Sequence, residues 1–269
     1  MKIIRFVDAS GETLLGTPAD AGTAALLRGD PFGLLAPSDT VVAIRSLLPP
    51  VNPANIYCIG LNYRDHAMET GAPQPDHPVV FMKPTTSVIS AGAAISLPAA
   101  CEHGPEVDFE AELAVVIGRT ARDVKVEDAL DHVFGYTCAN DVSARRWQKH
   151  GGGGQWVRGK SFDTFCPLGP MLVTADEIPD PQDLSIRCRL NDQPMQSGNT
   201  RDMIFPVAHL IAHLSRDTTL LPGTLILTGT PAGVGFTREP PVFLSDGDSV
   251  EVEIEGIGTL TNPVTGSVP

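Results

Sequence analysis

Short apolar runs bounded by glycine, proline and polar residues recur along this chain, a pattern typical of many short strands. The pattern predicts strands at residues 56–60, 79–83, 108–117, 184–190, 224–228 and 249–254. Two stretches predict helices, one after an acidic start at residues 126–133 and one at residues 205–214. Because strands outnumber helices, we expect a β-rich α+β fold.

The beginning of the chain differs from the rest. Its pattern predicts a hairpin around Gly11 and then a short helix, at residues 2–7, 13–16 and 21–28. Prolines crowd residues 49–53, and prolines both break regular structure and stiffen a chain. We therefore expect a small N-terminal appendage with its linker at residues 1–53 and one larger domain at residues 54–269.

The clearest alternation lies in residues 107–118 and places Glu110 and Glu112 on the same face of a strand. That face is apolar beyond Glu112, so we expect it to be covered by other elements. Adjacent carboxylates repel each other and are costly to bury, and a bound cation is the simplest way to make such a pair tolerable. The alternative is that both glutamates lie on the solvated edge of an ordinary amphipathic strand.

Asp141 opens a run that ends at Gln148, and two roles are open to it. It could cap the N-terminus of a helix, which is the common role of an aspartate before a helical run. It could instead join Glu110 and Glu112 as a third carboxylate. Three oxygen ligands without a nearby cysteine and histidine pair suit a hard cation, so such a site would hold Mg²⁺ or Mn²⁺ rather than Zn²⁺.

His66 and Glu69 are three residues apart and would share one face of a helical turn. A carboxylate beside an imidazole orients the ring and raises its basicity, as a general base requires. The alternative is an ordinary surface pair, which this spacing favours when taken alone. Farther along, residues 227–235 are rich in glycine and hydroxyl groups and could offer Thr230 and backbone amides to a ligand carboxylate.

Charge and composition exclude some classes of protein. The 269 residues carry a formal net charge of −13 and no basic stripe, so we expect no nucleic-acid partner. No stretch approaches the length of a membrane span, and the N-terminal apolar run, broken by Arg5, is too short for a signal peptide. The five cysteines form no Cys-x-x-Cys motif, so we expect reduced thiols in a cytoplasmic protein.

An ordered set of motifs resembles the fumarylacetoacetate hydrolase family, and most closely its small one-domain branch. Each motif alone is weak, but the set spans roughly residues 54–264 in the order of the family. The motifs are Gly60-Leu-Asn-Tyr63 with His66 and Glu69, Phe81-Met-Lys-Pro84, Phe109-Glu-Ala-Glu-Leu-Ala-Val-Val-Ile-Gly118, Asn140-Asp-Val-Ser-Ala-Arg145, Gly159-Lys-Ser-Phe-Asp163, Pro167-Leu-Gly-Pro170 and Leu227-Thr-Gly-Thr-Pro-Ala-Gly-Val-Gly235.

The resemblance implies a mixed β-roll or β-sandwich in the larger domain, which would be catalytic. It also implies a homodimer and a small 2-oxo or diketo acid as the substrate. The divalent cation, Mg²⁺ or Mn²⁺, would be held by Glu110, Glu112 and Asp141. His66 and Glu69 would form an acid–base dyad on a lid over the substrate.

Further site residues follow from the same resemblance. Lys160 would lie beside the substrate oxygen that becomes an oxyanion, although a lysine in an acidic chain could equally be a surface charge. Substrate or supporting contacts are implied for Arg145, Gln148 and Thr230. Many relatives have Arg-Asp-x-Gln where this chain has Arg145-Arg146-Trp147-Gln148, so Arg146 replaces an acidic residue.

These parts support three reactions through one enolate that the cation would stabilise. Attack on a distal carbonyl by water that His66 activates would hydrolyse a C–C bond, as in an acylpyruvate or fumarylacetoacetate hydrolase. Loss of CO₂ from C3 would make the protein an oxaloacetate decarboxylase. Movement of a proton alone would make it a keto–enol tautomerase or a 2-hydroxyhepta-2,4-diene-1,7-dioate isomerase.

The His-x-x-Glu pair can activate water, which favours hydrolysis among the three. A rival from another class is a non-catalytic relic that keeps the scaffold and binds only a metal or a ligand. The replacement at Arg146 supports that rival, whereas the intact acid–base and carboxylate positions oppose it.

Overall fold

A computed structural model describes residues 1–101 and 106–266. In the first half of the chain the strands are β1 (Lys2–Asp8), β2 (Thr13–Pro18), β3 (Thr23–Gly29), β4 (Leu35–Leu48), β5 (Ile56–Gly60), β6 (Val79–Met82), β7 (Val88–Ser90), β8 (Ile95–Ser96), β9 (Val107–Asp108), β10 (Ala111–Ile117) and β11 (Val133–Asn140). In the second half they are β12 (Ser143–Ala144), β13 (Cys166–Thr174), β14 (Ser185–Leu190), β15 (Gln193–Asn199), β16 (Leu225–Leu227), β17 (Ser249–Ile254) and β18 (Gly258–Thr265).

The helices are short, as expected for a β-rich chain. The α-helices are α1 (Arg64–Glu69), α2 (Arg145–His150), α3 (Val157–Lys160) and α4 (Val207–Ser215). The 3₁₀ helices are Thr85–Ser87, Val126–His132, Ala175–Glu177, Thr200–Asp202 and Gly235–Thr237. Of the two helices predicted from the sequence, the one at residues 205–214 is confirmed as α4, and the one at residues 126–133 forms as a 3₁₀ helix.

Within the described residues, two large sheets pack face to face. The larger has 11 strands, in the order β2-β3-β4-β1-β13-β11-β10-β16-β5-β6 with β7 beside β13. The smaller has five strands, in the order β15-β14-β17-β18-β8. The main core lies between them, where apolar side chains of β10 meet those of β14 and β17. The predicted β-rich fold is therefore confirmed.

Strand β10 is buried on both faces. Leu113 and Val115 belong to the core between the sheets, and Ala114 and Val116 belong to a second core on the other side of the large sheet. The expectation that the second face of this strand is covered is therefore confirmed. The predicted strand at residues 108–117 is interrupted, because β9 ends at Asp108 and β10 begins at Ala111.

The N-terminal strands continue the large sheet. The predicted hairpin is confirmed, since β1 and β2 pair from Ile4↔Gly16 to Val7↔Thr13 and Gly11 takes the positive φ of 91° that its turn requires. The predicted helix at residues 21–28 is wrong, because this segment is β3. Pairing with β2 on one side and β4 on the other overrides the helix preference of its alanines and leucines.

The linkage of these strands to the rest runs through β1, which also pairs with β13. The division into an appendage at residues 1–53 and a domain at residues 54–269 stays a prediction.

All five cysteines are free thiols, and four of them are buried. Among the helices of the described residues, none has the length and apolar character needed to span a bilayer.

Candidate active site

The strand register explains why three carboxylates meet. Ala111 pairs with Asn140 in the antiparallel ladder of β10 and β11. One residue farther out, Glu110 therefore lies opposite Asp141, and the Asp141 N–H donates to the Glu110 carbonyl at 2.9 Å. Glu112 adds its side chain from the start of β10. One carboxylate oxygen from each of these three residues lies within 4.8 Å of the others.

All three carboxylates are buried. Glu110 is 6% exposed, Glu112 is 1% exposed and Asp141 is fully buried. The alternative that both glutamates lie on a solvated strand edge is therefore wrong. The alternative that Asp141 caps a helix is also wrong, because α2 begins four residues later at Arg145 and has no side-chain cap.

Two lysines compensate part of this negative charge. Lys160 ends α3 and is 1% exposed, and its ammonium donates to Glu110 Oε2 at 2.7 Å and to Asp141 Oδ2 at 2.8 Å. Lys83 follows β6, and its ammonium lies 2.6 Å from Asp141 Oδ1. Lys83 also donates to the carbonyls of Val142 and Lys160, at 3.1 and 2.6 Å. Lys83 thus ties the carboxylate of Asp141 to the backbone that carries Lys160.

A buried arginine joins the cluster from α2. Arg145 donates from Nη1 to Glu110 Oε1 at 2.6 Å and from Nε to Asp108 Oδ2 at 2.8 Å. Asp108 is fully buried and also accepts from the backbone N–H groups of Gly235 and Phe236, at 2.8 and 3.0 Å. Asp108 therefore fixes both Arg145 and the loop that follows Thr230.

The charges of the cluster leave Glu112 poorly compensated. Burial opposes the ionisation of Glu110, but Lys160 and Arg145 together hold its pKa below the ordinary value. Burial, Asp141 and Glu110 raise the pKa of Glu112 well above its ordinary value. The partner that the described residues give the Glu112 carboxylate is the Gly229 N–H, at 2.7 Å from Oε2.

These features fit a divalent cation. Asp108, Glu110, Glu112 and Asp141 bring four carboxylates, which face three cations among the described residues. Asp141 Oδ1 accepts no aligned hydrogen bond within the described part of the chain, despite its contact with Lys83. An all-oxygen donor set with uncompensated negative charge suits a hard ion such as Mg²⁺ or Mn²⁺.

The His66–Glu69 pair lies on α1, as the spacing predicts. His66 Nδ1 lies 2.7 Å from Glu69 Oε1, and the imidazole is 6% exposed and lines the pocket. Glu69 Oε2 accepts from the Gly233 N–H at 2.9 Å and from the Thr237 hydroxyl at 3.1 Å. Burial opposes the ionisation of Glu69, but these hydrogen bonds and His66 lower its pKa. The alternative of an ordinary surface pair is therefore wrong.

One pocket of about 200 Å³ connects the dyad with the carboxylates. It is lined by every predicted site residue except Glu69 and Asp141, which lie directly behind His66 and Lys160. Thr230 accepts from Gln196 at 2.7 Å and donates to the Ala111 carbonyl at 2.8 Å. The apolar part of the lining includes Phe81 and Trp156.

Gln148 and Arg146 lie on α2 but on different faces. Gln148 is 9% exposed, accepts from Arg145 Nη1 at 3.0 Å and lines the pocket. Arg146 is outside the pocket lining, and its Nε lies 3.5 Å from the buried carboxylate of Glu106. The replacement at Arg146 therefore leaves the lining of the pocket unchanged.

Sequence reasoning missed two buried residues that hold the site together. The sequence assigns no role to Lys83 or Asp108, although Lys83 directly follows the apolar strand β6 and Asp108 stands between the apolar residues Val107 and Phe109. That placement is the signal that could have singled them out, because a charge at such a position needs a buried partner.

Known proteins share this fold and these motifs. The family model of the fumarylacetoacetate (FAA) hydrolase C-terminal domain matches residues 55–265. The chain is 53% identical over 220 residues to the mitochondrial oxaloacetate tautomerase fahd2 of Xenopus laevis, and the match covers 81% of this chain and 68% of that protein.

Solved structures resemble the whole chain. A 2-hydroxyhepta-2,4-diene-1,7-dioate isomerase from Mycobacterium marinum has a TM-score of 0.85 and 39% identity, and the match covers 100% of both chains. A fumarylacetoacetate hydrolase from Exiguobacterium antarcticum has a TM-score of 0.83 and 38% identity, with 99% of each chain covered.

The comparisons contradict one expectation, leave a second unconfirmed and confirm a third. The cytoplasmic location is contradicted, because the Xenopus relative is named as a mitochondrial protein. Hydrolysis as the specific reaction is not confirmed, because the names of the Xenopus and Mycobacterium proteins describe a tautomerase and an isomerase. The family suggested by the sequence motifs is confirmed, and the chain belongs to the fumarylacetoacetate hydrolase family.

Proposed function

We propose that this protein is an isomerase of 2-oxo acids that catalyses keto–enol tautomerisation of oxaloacetate or of a closely similar acid. The observation that carries the proposal is the meeting of an acid–base dyad and a carboxylate–lysine cluster in one small pocket. The named activities of the Xenopus and Mycobacterium relatives favour isomerisation over the hydrolysis that the sequence motifs favoured.

A divalent cation, Mg²⁺ or Mn²⁺, would be held by Glu110, Glu112 and Asp141. When bound, it would supply Lewis-acid polarisation of the 2-oxo group. Glu112 supports this role because its negative charge is the least compensated of the three. Lys83, Lys160 and Arg145 form ion pairs with the other two carboxylates and orient them.

The chain's own residues can move the proton. In the enol-to-keto direction a proton leaves the enol hydroxyl at C2 and a proton is added at C3. His66 lines the pocket and would accept the hydroxyl proton and return a proton to C3, while Glu69 fixes the orientation of its ring through Nδ1. The ammonium of Lys160 would stabilise the negative charge that develops on the 2-oxo oxygen.

The rest of the pocket lining supports the same chemistry. Phe81 and Trp156 form an apolar part of the lining that also contains His66 and the two glutamates. Gly60 allows the close packing of Trp156, because a Cβ atom there would lie 2.2 Å from the indole ring. Arg145 Nη2 and the side-chain amide of Gln148 would offer donors to the substrate carboxylate, whereas the hydroxyl of Thr230 already donates to the Ala111 carbonyl and would support the site from behind.

The experiment is to follow the tautomers of oxaloacetate with Mg²⁺ and with Mn²⁺. Enol loss is read from ultraviolet absorbance, NMR of the same sample reports CO₂ loss, and NMR of a parallel sample with an acylpyruvate reports C–C cleavage. We expect tautomerisation to outpace both other reactions. Faster decarboxylation or faster hydrolysis would replace the proposal by one of its two alternatives, and no turnover with cation bound would support the non-catalytic relic.

We also propose that the protein is a homodimer, as the family resemblance implies. Two-fold dimers are the commonest oligomers of soluble proteins. Light scattering at micromolar concentration measures the mass in solution. A mass of about one chain would contradict the proposal.

A further inference from the structure

Three cations line the pocket, and one of them is held differently from the others. Arg145 and Lys160 each donate to the Glu110 carboxylate and are buried. Lys149 also lines the pocket but is exposed, and it makes no ion pair with any carboxylate of the described residues. Lys149 is thus the pocket cation whose charge the described part of the chain leaves available to a ligand.

The ammonium of Lys149 is nevertheless held in place. Its Nζ lies 3.8 Å from the centre of the Phe236 ring, a cation–π contact. The Arg145 guanidinium lies 4.4 Å from the centre of the same ring. Asp108 accepts from the Phe236 N–H at 3.0 Å and fixes the ring from the backbone side. Lys149 is therefore kept beside Arg145 at the border of the pocket.

The electrostatics agree with this placement. Partial burial, and then the neighbouring Arg145, lower the pKa of Lys149. An ammonium that has lost part of its water and lies near a second cation gains from an added anion more than an ordinary surface lysine does. Asp108 is the anion that acts on Lys149 from the described residues, but it forms no ion pair with Lys149 and is already paired with Arg145.

We infer that Lys149 binds the distal carboxylate of the substrate and makes the site selective for 2-oxo dicarboxylic acids over 2-oxo monocarboxylic acids. The inference rests on the proposed function, which places the 2-oxo end of the substrate at the carboxylate–lysine cluster. A second carboxylate on the same short molecule would then reach the border of the pocket, where Lys149 lies. Lys149 would act as a specificity-determining residue, and the proton transfer would stay with His66.

A purely structural role for Lys149 makes a different prediction. It lies in the last turn of α2, where a positive charge stabilises the helix C-terminus. Loss of that effect would lower the stability of the protein slightly and would change kcat/KM for all substrates alike. Only a contact with the distal carboxylate changes kcat/KM for a dicarboxylate and leaves kcat/KM for a monocarboxylate unaffected.

The experiment compares Lys149→Met, Lys149→Arg and the control Lys125→Met, which removes an exposed lysine outside the pocket. The substrates are the enols of oxaloacetate and of phenylpyruvate, which lacks the second carboxylate. We expect Lys149→Met to lower kcat/KM for oxaloacetate by roughly tenfold, a loss between those for a surface ion pair and a buried charge-assisted hydrogen bond. The loss should lie mostly in KM, and kcat/KM for phenylpyruvate should change less than about twofold. Lys149→Arg should recover most of the kcat/KM for oxaloacetate.

Equal losses for both substrates, or no loss for oxaloacetate, would overturn the inference. Binding provides a readout that does not depend on turnover. Calorimetry with Mg²⁺ present, in the His66→Ala background, compares oxaloacetate with oxalate, which lacks a distal carboxylate. Lys149→Met should weaken the binding of oxaloacetate and leave the binding of oxalate unchanged. If Lys149→Met weakens the binding of oxaloacetate but not of oxalate, and wild-type protein turns over neither enol, the proposed function fails while the assignment of Lys149 stands.

Discussion

The floor of the pocket is built from strand ends and from Lys160 at the end of α3, whereas its wall is built from short helices and a loop. The floor, defined by Glu110, Glu112, Asp141, Lys83 and Lys160, is at most 6% exposed at any residue. Each of these charged groups contacts at least one other residue of the protein within 2.8 Å. Its geometry therefore depends on the sheet register and on ion pairs that are withdrawn from water.

The wall, defined by His66, Glu69, Lys149 and Phe236, includes more exposed side chains, since the Glu69 side chain is 19% exposed and Lys149 is exposed. Glu69 bridges α1 and the loop at Gly233, and Lys149 meets Phe236 through its ring alone. Removing one contact there changes the position of one group rather than the balance of a buried charge cluster. The comparison leads us to expect that the floor supplies the chemistry shared by several reactions, whereas the wall selects the substrate and carries the proton transfer.

The largest effect should come from a wall residue that touches the reaction. His66→Ala should lower turnover of oxaloacetate enol by about 10²–10⁴-fold, because it removes the general acid–base group. The floor is untouched, so cation binding measured by calorimetry should stay at the wild-type value. The control is His209→Ala, which changes an exposed histidine on α4. Near-wild-type turnover of His66→Ala would remove His66 from the mechanism.

Within the floor, Asp141 and Glu112 should respond oppositely to loss of charge. Asp141→Asn leaves Lys83 and Lys160 undercompensated, and we expect a loss of about 3–5 kcal/mol in the free energy of unfolding. Glu112→Gln removes a charge that no cation of the described residues pairs with, so we expect no loss or a small gain. Urea unfolding in the presence of a chelator measures both. Equal losses would show that Glu112 is compensated in a way the contacts do not reveal.

Lys160 joins the stability of the floor to catalysis. Lys160→Met should raise the barrier to tautomerisation by about 3–4 kcal/mol, because it removes a donor aimed at the developing oxyanion. It also leaves Glu110 and Asp141 facing each other, so the variant should be less stable without a divalent cation and should recover stability when the cation is added. Full activity of the variant on every 2-oxo acid that the wild type accepts would contradict the role.

The sequence carried more information about the floor than about the wall. The alternation around Glu110 and Glu112 indicated one strand face, and the family motif added Asp141, so the three carboxylates could be named in advance. What placed Asp141 opposite Glu110 is the pairing of Ala111 with Asn140. That pairing is a long-range choice between strands, which local pattern does not determine.

The wall and the N-terminal strands show the limits of local pattern. Lys149 gave no signal, because a lysine at the end of a short helix is ordinary and its meaning depends on the distant Phe236. The segment at residues 21–28 has helix-favouring alanines and leucines, yet it pairs with strands on both sides. In both cases the deciding contact lies far away in the sequence, where propensity has no influence.

The smallest predicted effect is a pH dependence that has opposite signs in the wall and in the floor. Burial opposes the ionisation of Glu69, but the hydrogen bonds of His66, Gly233 and Thr237 lower its pKa below the ordinary value of 4.5. An acid whose folded-state pKa is lowered stabilises the protein above its unfolded-state pKa, and that stability is lost as the pH falls through the folded-state pKa. The advantage of wild type over Glu69→Gln should therefore be constant above about pH 5 and shrink below about pH 4.5.

Glu112 should behave in the opposite way when a chelator is present. Its pKa is raised by burial, Asp141 and Glu110, so the folded protein holds this proton more tightly than the unfolded chain does. Stability then falls as the pH rises above about 4.5, and the deficit of wild type relative to Glu112→Gln should grow until the raised pKa is passed. Urea midpoints of the two variants and wild type, measured from pH 3.5 to pH 8, test both signs at once. If the urea midpoints of Glu69→Gln and Glu112→Gln, each relative to wild type, changed with pH in the same direction, the predicted difference between the wall and the floor would be contradicted.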